Sequence, residues 1–287
     1  MLTLTDADFH RLYTYIKKNY GIDLSKKKQL IVSRLTNTLT AQGYTSFAQY
    51  VDEILSGKDK DMVTSMLNKL TTNYTYFLRE EAHFKYLWDT VLPVLSKRHE
   101  RDKVLSIWSA GCSSGEEPYT ISMYLKEFFG AQSHSWDTRI LATDISQQIL
   151  NTARNPVYHE ESLERLPASW KQKYFVKEKD GSYTIAPAIK QNVIFQTFNL
   201  MDSIRFRRPF DLIFCRNVMI YFDQPTKDAL VRRFYDATVP GGYLFIGHSE
   251  GLNKADCPYQ YIMPATYQKA GQQSPSSKSE RRLNYAK

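Results

Sequence analysis

No run of 18 or more apolar residues occurs anywhere in the 287-residue chain, so no helical membrane span and no direct membrane insertion are expected. The opening residues Met1-Leu-Thr-Leu-Thr-Asp6 also lack the basic-then-apolar layout of a secretory signal. Cysteine is scarce. Cys112, Cys215 and Cys257 form no Cys-x-x-Cys pair and no metal-ligand spacing, which argues against a disulfide framework and against zinc. The expectation is a cytoplasmic protein with reduced thiols and no metal. There is no internal repeat, and the chain is long enough for one large α/β domain plus a smaller one. Acids are nearly missing from one stretch: between Arg11 and Arg34 seven basic residues stand against the single acid Asp23.

What is present is a globular composition, 42% apolar, with 20 tyrosines and a formal net charge of +8. An excess of positive charge suits either nucleic acid or an acidic protein, and its sign alone does not separate them. Lys26, Lys27, Lys28 and Arg34 make the start of the second helix strongly basic. They read either as a solvated face or as a docking surface for something acidic.

Residues 1–71 read as a helical domain. Apolar stripes run through Phe9, Leu12, Tyr13 and Ile16, through Leu30, Ile31, Leu35 and Leu39, through Phe47 to Leu55, and through Met62 to Leu70. Ser25 and Ser46 are candidate N-caps, and Gly21, Gly43 and Gly57 stand where helices would stop. Residues 72–84 break the helical pattern and read as a functional linker. From Val104 strand and helix patterns alternate, the mark of a mostly parallel sheet. The expected strands are Val104–Trp108, Thr138–Asp144, Asn192–Asn199, Phe210–Cys215, Gly241–His248 and Tyr259–Gln268. The last two have no helix between them and are expected to be antiparallel. Residues 156–190 are too long for one crossover helix. With Asp180-Gly181 between alternating runs, they read as a small antiparallel β insert in a domain spanning 85–270. Residues 271–287, rich in Ser, Gln and Lys, are expected to be disordered.

The stretch Trp108-Ser-Ala-Gly-Cys-Ser-Ser-Gly-Glu-Glu-Pro-Tyr119 reads as strand, tight turn and helix, with glycine where backbone and ligand approach closely. Glu116 and Glu117 at the helix start would repel a pyrophosphate, so a dinucleotide is disfavoured and a cationic ligand favoured. S-adenosylmethionine meets that description, with an adenosine, an ammonium and no phosphate. The two glutamates would equally complement the helix dipole. In an open α/β sheet the ligand lies across the carboxyl ends of the strands. Those ends carry Gly111 to Glu117, Asp144, Asn199-Leu200 and Arg216-Asn217. Asp144 is placed to accept the ribose hydroxyls or to cap the following helix; Asn199 and Asn217 are placed as ligands or as turn residues.

Several long motifs, in order, carry a resemblance. They are Thr71-Thr-Asn-Tyr-Thr-Tyr-Phe-Leu-Arg-Glu80, Trp108-Ser-Ala with Ser114-Gly-Glu-Glu-Pro-Tyr119, Ala142-Thr-Asp-Ile145, Phe210 through Asp223, and Gly247-His-Ser-Glu250. The chain resembles the chemotaxis receptor methyltransferase (CheR) family from the helical domain to about residue 270. That resemblance implies a class I methyltransferase fold: Rossmann-like and α/β, mostly parallel with an antiparallel edge, preceded by a small all-α domain. It implies transfer of a methyl group from S-adenosylmethionine to glutamate side chains of chemoreceptor cytoplasmic helices, giving glutamyl methyl esters and S-adenosylhomocysteine. By motif position, Asn73, Thr75 and Arg79 reach the cofactor from the linker. Glu117 takes the methionine end, Asp144 the ribose, and Asn199, Leu200, Arg216 and Asn217 the adenosine side and pocket floor beside Gly111. The basic second helix becomes a receptor-docking surface, and the protein is expected to act as a monomer.

The implied chemistry needs no catalytic triad. A glutamate is already ionised near neutral pH, given a reference pKa of about 4.3, and the sulfonium activates its own methyl. The protein has to align oxygen and methyl carbon at about 3 to 3.5 Å and shed water. Arg79 and Tyr221 are the candidates for steering the substrate carboxylate. Asn217-Val-Met-Ile-Tyr221 lacks the Pro-Pro turn of amino-group methyltransferases, so an exocyclic amine is disfavoured as substrate. The short insert hairpin predicts independence from a receptor tether peptide. Competing readings are a methyltransferase acting on another acidic protein or on RNA, and a non-catalytic receptor-binding adaptor. Against RNA, the basic cluster lacks interleaved aromatics. His248, Ser249 and Glu250 carry no assigned role.

Overall fold

A computed structural model describes residues 2–253 and 255–271. Four helices come first: α1 (Asp6–Tyr20), α2 (Lys28–Ala41), α3 (Phe47–Ser56) and α4 (Lys60–Leu70). Their ends follow local chemistry. Thr5, Ser46 and Asp59 accept the N-capping bonds of α1, α3 and α4, while Gly21 and Gly57 close α1 and α3 in the left-handed region. Gly43, also left-handed, follows the end of α2. The expected cap at Ser25 is not used. Its own N–H is held by Asp23 Oδ1 at 3.0 Å, and α2 starts three residues later behind Lys27 with no side-chain cap.

The linker leads into α5 (Glu81–Tyr86), a single π turn at Leu87–Val91, and α6 (Leu92–Arg98). The π turn has a local cause: Pro93 lacks an N–H and its ring would crowd the carbonyl four residues back, and the wider turn absorbs it. Then come β1 (Ile107–Ala110), α7 (Glu116–Phe129), β2 (Ile140–Asp144) and α8 (Gln147–Arg154). The segment that follows holds β3 (Val157–Tyr158), α9 (Glu160–Leu163), α10 (Ala168–Tyr174), β4 (Phe175–Lys177), β5 (Tyr183–Ile185) and α11 (Pro187–Lys190). The chain ends on β6 (Val193–Thr197), β7 (Phe210–Cys215), α12 (Gln224–Ala237), β8 (Thr238–Ile246), β9 (Gln260–Met263) and β10 (Thr266–Gln268).

The main sheet has the order β6-β2-β1-β7-β8-β10-β9. Its first five strands are parallel, β10 runs antiparallel to β8, and β9 antiparallel to β10. The single final strand expected over Tyr259–Gln268 is therefore a hairpin. Its turn lies at Pro264-Ala265, where Ala265 adopts φ 60°. Strand β1 begins at Ile107 and not at Val104, which makes only an isolated bridge to Asp137. The insert forms a second, antiparallel sheet in the order β3-β5-β4. The proposed disordered tail lies outside the described residues except for Gly271.

Two apolar cores flank the main sheet. One joins the four-helix domain to Trp108, Ile213, Phe234 and Leu244; the other joins the linker residue Phe77 and α5–α6 to α7 and the insert. Helical domain and sheet thus share a core, and the cleft between them has fixed walls. Ser146 makes one of the joints. Fully buried, its Oγ accepts the Ile149 N–H at 3.3 Å as the cap of α8 and the Asn68 amide of α4 at 2.8 Å. Ser146→Ala removes both bonds and is expected to cost about 1–2 kcal/mol in urea unfolding, with Ser146→Thr retaining most of the stability.

Candidate functional site

After β1 the chain has to turn sharply over the sheet edge into α7. Gly111 makes the turn at φ 82°, and a Cβ there would sit 2.4 Å from Val218 Cγ2. Gly115 precedes α7 at φ 99°. Both positions exclude side chains for steric reasons. A cleft of about 280 Å³ opens above this turn. The linker forms one wall and the carboxyl ends of β1, β2, β6 and β7 the floor; Tyr20 and Ile22 of the helical domain and Tyr221-Phe222 close the side. Asn73, Thr75, Arg79, Gly111, Glu117, Asp144, Asn199, Leu200, Arg216, Asn217 and Tyr221 all line it.

What each side chain does there differs. Asp144 accepts backbone N–H bonds from Ser113 and Ser146, each at 3.0 Å, and burial raises its pKa. The cap of α8 is Ser146, so Asp144 stays at the cleft. Glu117 accepts Ser109 Oγ–H at 2.7 Å and Arg216 at 3.1 Å; burial raises its pKa too, although Arg216 opposes the rise. Glu116 faces away, buried and bonded to Ser114 Oγ. The two glutamates of the motif thus divide, and only Glu117 sees the cleft.

Arg216 is buried, with its side chain 2% exposed. It bonds Glu117 on one side and Glu80 on the other at 3.1 Å, donates to the Arg79 carbonyl, and lies over the Phe84 ring. Its role in the structure is therefore a tie between the strand end and the linker. Burial works to raise Glu80, but the charge of Arg216 and the His248 N–H outweigh it and hold the carboxyl below its ordinary range. Asn217, in the left-handed region at φ 61°, offers its side-chain amide to Glu80 at 3.4 Å. Its backbone N–H, with those of Ile220 and Gly247, is held by the buried carboxylate of Glu250. Nothing in the sequence marks a role for Glu80 or Glu250 beyond their place inside the quoted motifs.

Asn199 spends its side chain on the fold: it donates to the Asn19 carbonyl at 2.8 Å and accepts the Met201 N–H at 3.0 Å. Asn73 donates to Asn68 at 3.3 Å, and its carbonyl accepts Ser113 Oγ–H. Tyr221 Oη accepts the Thr72 N–H at 2.8 Å and donates to the Thr72 carbonyl at 3.2 Å, clamping the linker. Arg79 donates to the Tyr74 carbonyl at 2.8 Å and sits near the Tyr76 ring at the cleft mouth. Among the described residues it has no carboxylate partner.

Lys26, Lys27, Lys28 and Arg34 lie outside the cleft. Lys26 and Lys27 are exposed, Lys28 pairs with Asp6 at 2.6 Å, and Arg34 donates to the Lys69 carbonyl. Three lysines at an uncapped helix start oppose the helix dipole, a local cost that the packing of α2 does not require.

Five parallel strands, an antiparallel edge, a glycine turn after the first strand and a carboxylate at the end of the second define an S-adenosylmethionine-dependent methyltransferase. The matching family models agree: the CheR methyltransferase SAM-binding domain matches residues 73–267, and the CheR methyltransferase all-alpha domain matches residues 7–71. The chain belongs to the CheR methyltransferase family, and S-adenosylmethionine is its cofactor. It is 40% identical over 272 residues to a chemotaxis protein methyltransferase of Borreliella burgdorferi, covering 93% of this chain and 96% of the relative. It is 36% identical to that of Escherichia coli, covering 88% and 87%, and 36% identical to chemotaxis protein methyltransferase 1 of Pseudomonas aeruginosa, covering 91% and 96%.

The donor set fits this cofactor. Two carboxylates sit at the turn, raised by burial and only partly neutralised, which is an environment for a cation. Arg216→Met would leave Glu80 and Glu117 buried without their cation. Its expected cost in guanidinium unfolding is about 3–5 kcal/mol, part of which Glu117→Gln restores in the double variant.

Proposed function

We propose that this chain methylates glutamate side chains on the cytoplasmic helices of chemoreceptors, producing glutamyl methyl esters and S-adenosylhomocysteine. The observation that carries the reading is the charge layout of the cleft. Carboxylates face the cofactor end, and Arg79, a guanidinium with no carboxylate partner among the described residues, stands at the mouth. A substrate carboxylate is drawn to that mouth. The names of the matched relatives support the chemotaxis setting.

In this reading Asp144 accepts the ribose hydroxyls, Glu117 holds the ammonium, and the turn at Gly111 lets the backbone approach. Thr75, Asn73, Leu200 and Asn217 enclose the rest. Arg216 acts mainly by fixing Glu117 and the linker, and Tyr221 by fixing Thr72, so that Arg79 meets the substrate in one geometry. When bound, the cofactor supplies a methyl group activated on a sulfonium. A substrate carboxylate oxygen steered by Arg79 would accept that methyl group with sulfur as the leaving group, and the chain's own part is to hold the two in line. No proton moves, so no base is needed. Lys26 and Lys27 dock the acidic receptor helix beside the cleft. The insert turn between Lys177 and Tyr183 is short, and receptor recognition is independent of a tail peptide.

Wild-type protein incubated with labelled cofactor and a soluble receptor cytoplasmic fragment is expected to incorporate base-labile methyl. Removing the receptor tail is expected to leave the rate unchanged, and Arg79→Ala to lower it by about a hundredfold, the scale of one transition-state-orienting contact. Base-stable label, or micromolar affinity of this protein for a tail peptide, would contradict the respective half of the proposal. For the cofactor site, Asp144→Ala is expected to abolish tight calorimetric binding of S-adenosylhomocysteine. Because burial raises Asp144, its charge is lost at higher pH than that of an ordinary carboxylate. Glu117 is raised by burial as well, so wild-type affinity is expected to fall as pH is lowered toward the carboxylate range, with Asp144→Asn removing only the share due to Asp144.

A further inference from the structure

A second guanidinium stands against Tyr76, a ring of the linker wall of the same cleft. Arg165 follows α9 in the insert, on a segment pinned by Leu163 and Leu166, which are buried in the core that also holds Phe77 of the linker. Its guanidinium carbon lies 4.5 Å from the centroid of Tyr76, a ring that lines the cleft, and Arg79 lies 5.8 Å from the same centroid. The two cations therefore share one aromatic post and are separated by no more than about 10 Å. Among the described residues neither sits in an ion pair, although Glu161 and Glu164 are exposed on the same segment as Arg165. Like charges gathered around one ring are held there by cation–π attraction and repel each other until an anion arrives. Tyr74 sits tilted against Tyr76, ring centroids 5.6 Å apart, and is 69% exposed, which gives the mouth an open aromatic side.

We propose that Arg165 is a specificity residue that receives a second carboxylate of the substrate helix while Arg79 receives the glutamate to be esterified. The inference rests on the glutamate reading above and deepens it. On an α-helix, residues three or four apart lie about 5–6 Å apart on one face, and those seven apart about 10 Å. An acid three or four positions from the target glutamate fits inside the upper limit set by the shared ring, and one seven positions away reaches it. A helix with one isolated glutamate satisfies Arg79 alone; a helix with a second acid on the same face satisfies both. The selected substrate is therefore an acidic helical face and not a single residue, and the insert reads part of it through Arg165 without gripping a separate peptide.

The test uses the full chain and a soluble chemoreceptor cytoplasmic fragment that the wild type methylates. In variants of the fragment, the acids three, four and seven positions either side of the methylated glutamate are changed singly to Gln. Arg165→Ala is expected to raise KM for the parent fragment about fivefold, the effect of one exposed ion pair, with kcat and S-adenosylhomocysteine affinity unchanged. Arg165→Lys is expected to recover part of the loss. One of the Gln fragments is expected to raise the wild-type KM by the same factor and to have no further effect on Arg165→Ala, as a double-mutant cycle requires of a direct pair. An unchanged KM in Arg165→Ala, or losses that simply add in every pair, would overturn the proposal. Failure of the wild type to esterify any glutamate of the fragment is a different result, and removes the proposed function itself.

Discussion

The buried ion pairs of Arg216 hold this molecule's site together. A guanidinium taken almost wholly out of water is costly unless its donors are met, and here Glu80, Glu117 and the Arg79 carbonyl meet them. Each partner belongs to a different part of the chain: Glu80 and Arg79 to the linker, Glu117 to the first turn of α7, Arg216 to the end of β7. One side chain thereby fixes the distance between the cofactor turn and the wall that carries Arg79. Arg216 also shapes the charge of the cleft, since it meets Glu80 and Glu117 while Asp144 has no cationic partner among the described residues, an arrangement suited to a cationic cofactor.

Backbone strain gathers at the same place. Leu78, Glu80, Ser113 and Asn217 all have positive φ, and none is glycine. Such conformations cost on the order of 1–3 kcal/mol each and persist only where neighbours over-determine them. The neighbours are identifiable: Glu80 is held by Arg216 and the His248 N–H, Ser113 by Asp144, and Asn217 by Glu250. Beneath them His83 is fully buried and pushed down to about 3 by desolvation and by Arg216, so it adds no charge to the cluster. The strain is thus supported by the carboxylates that line or underlie the cleft.

Local patterns made most of the architecture legible. Runs such as Phe210–Cys215 and the periodic stripe of Gln147–Arg154 coincide with a strand and a helix, because burial on both faces or one decides them. The misses were cases where a neighbour distant in sequence, or one unusual residue, decided the outcome. Ser25 makes no cap, because Asp23 holds its N–H in a turn and α2 begins three residues later, and Ala265 takes a left-handed turn that its side chain gives no reason to expect. The cleft lining was readable because parallel topology places ligands at strand ends. The bonds of those residues were not, since Arg216 meets Glu80 across 136 positions and Asn199 meets Asn19 across 180. From sequence Asn199 reads as a ligand or a turn residue and Tyr221 as a residue steering the substrate, yet their polar atoms are largely taken up in bracing the helical domain and the linker.

That bracing explains how an all-α domain matters to a methyl transfer it does not perform. Asn68, Tyr20 and Ile22 come from the helical domain and line the cleft; Asn199 and Ser146 tie that domain to the sheet, and Ile22 makes an isolated bridge to Phe222. The basic start of α2 therefore sits on a body that is rigidly joined to the cofactor turn. An acidic helix held by Lys26 and Lys27 would be registered against the cleft through packed side chains and not through a flexible hinge. The cost of three lysines at an uncapped helix start is repaid if their charge aligns substrate. Orientation is the main resource of a reaction that requires no proton transfer, and in this chain it is built from ion pairs and hydrogen bonds whose partners lie far apart in sequence.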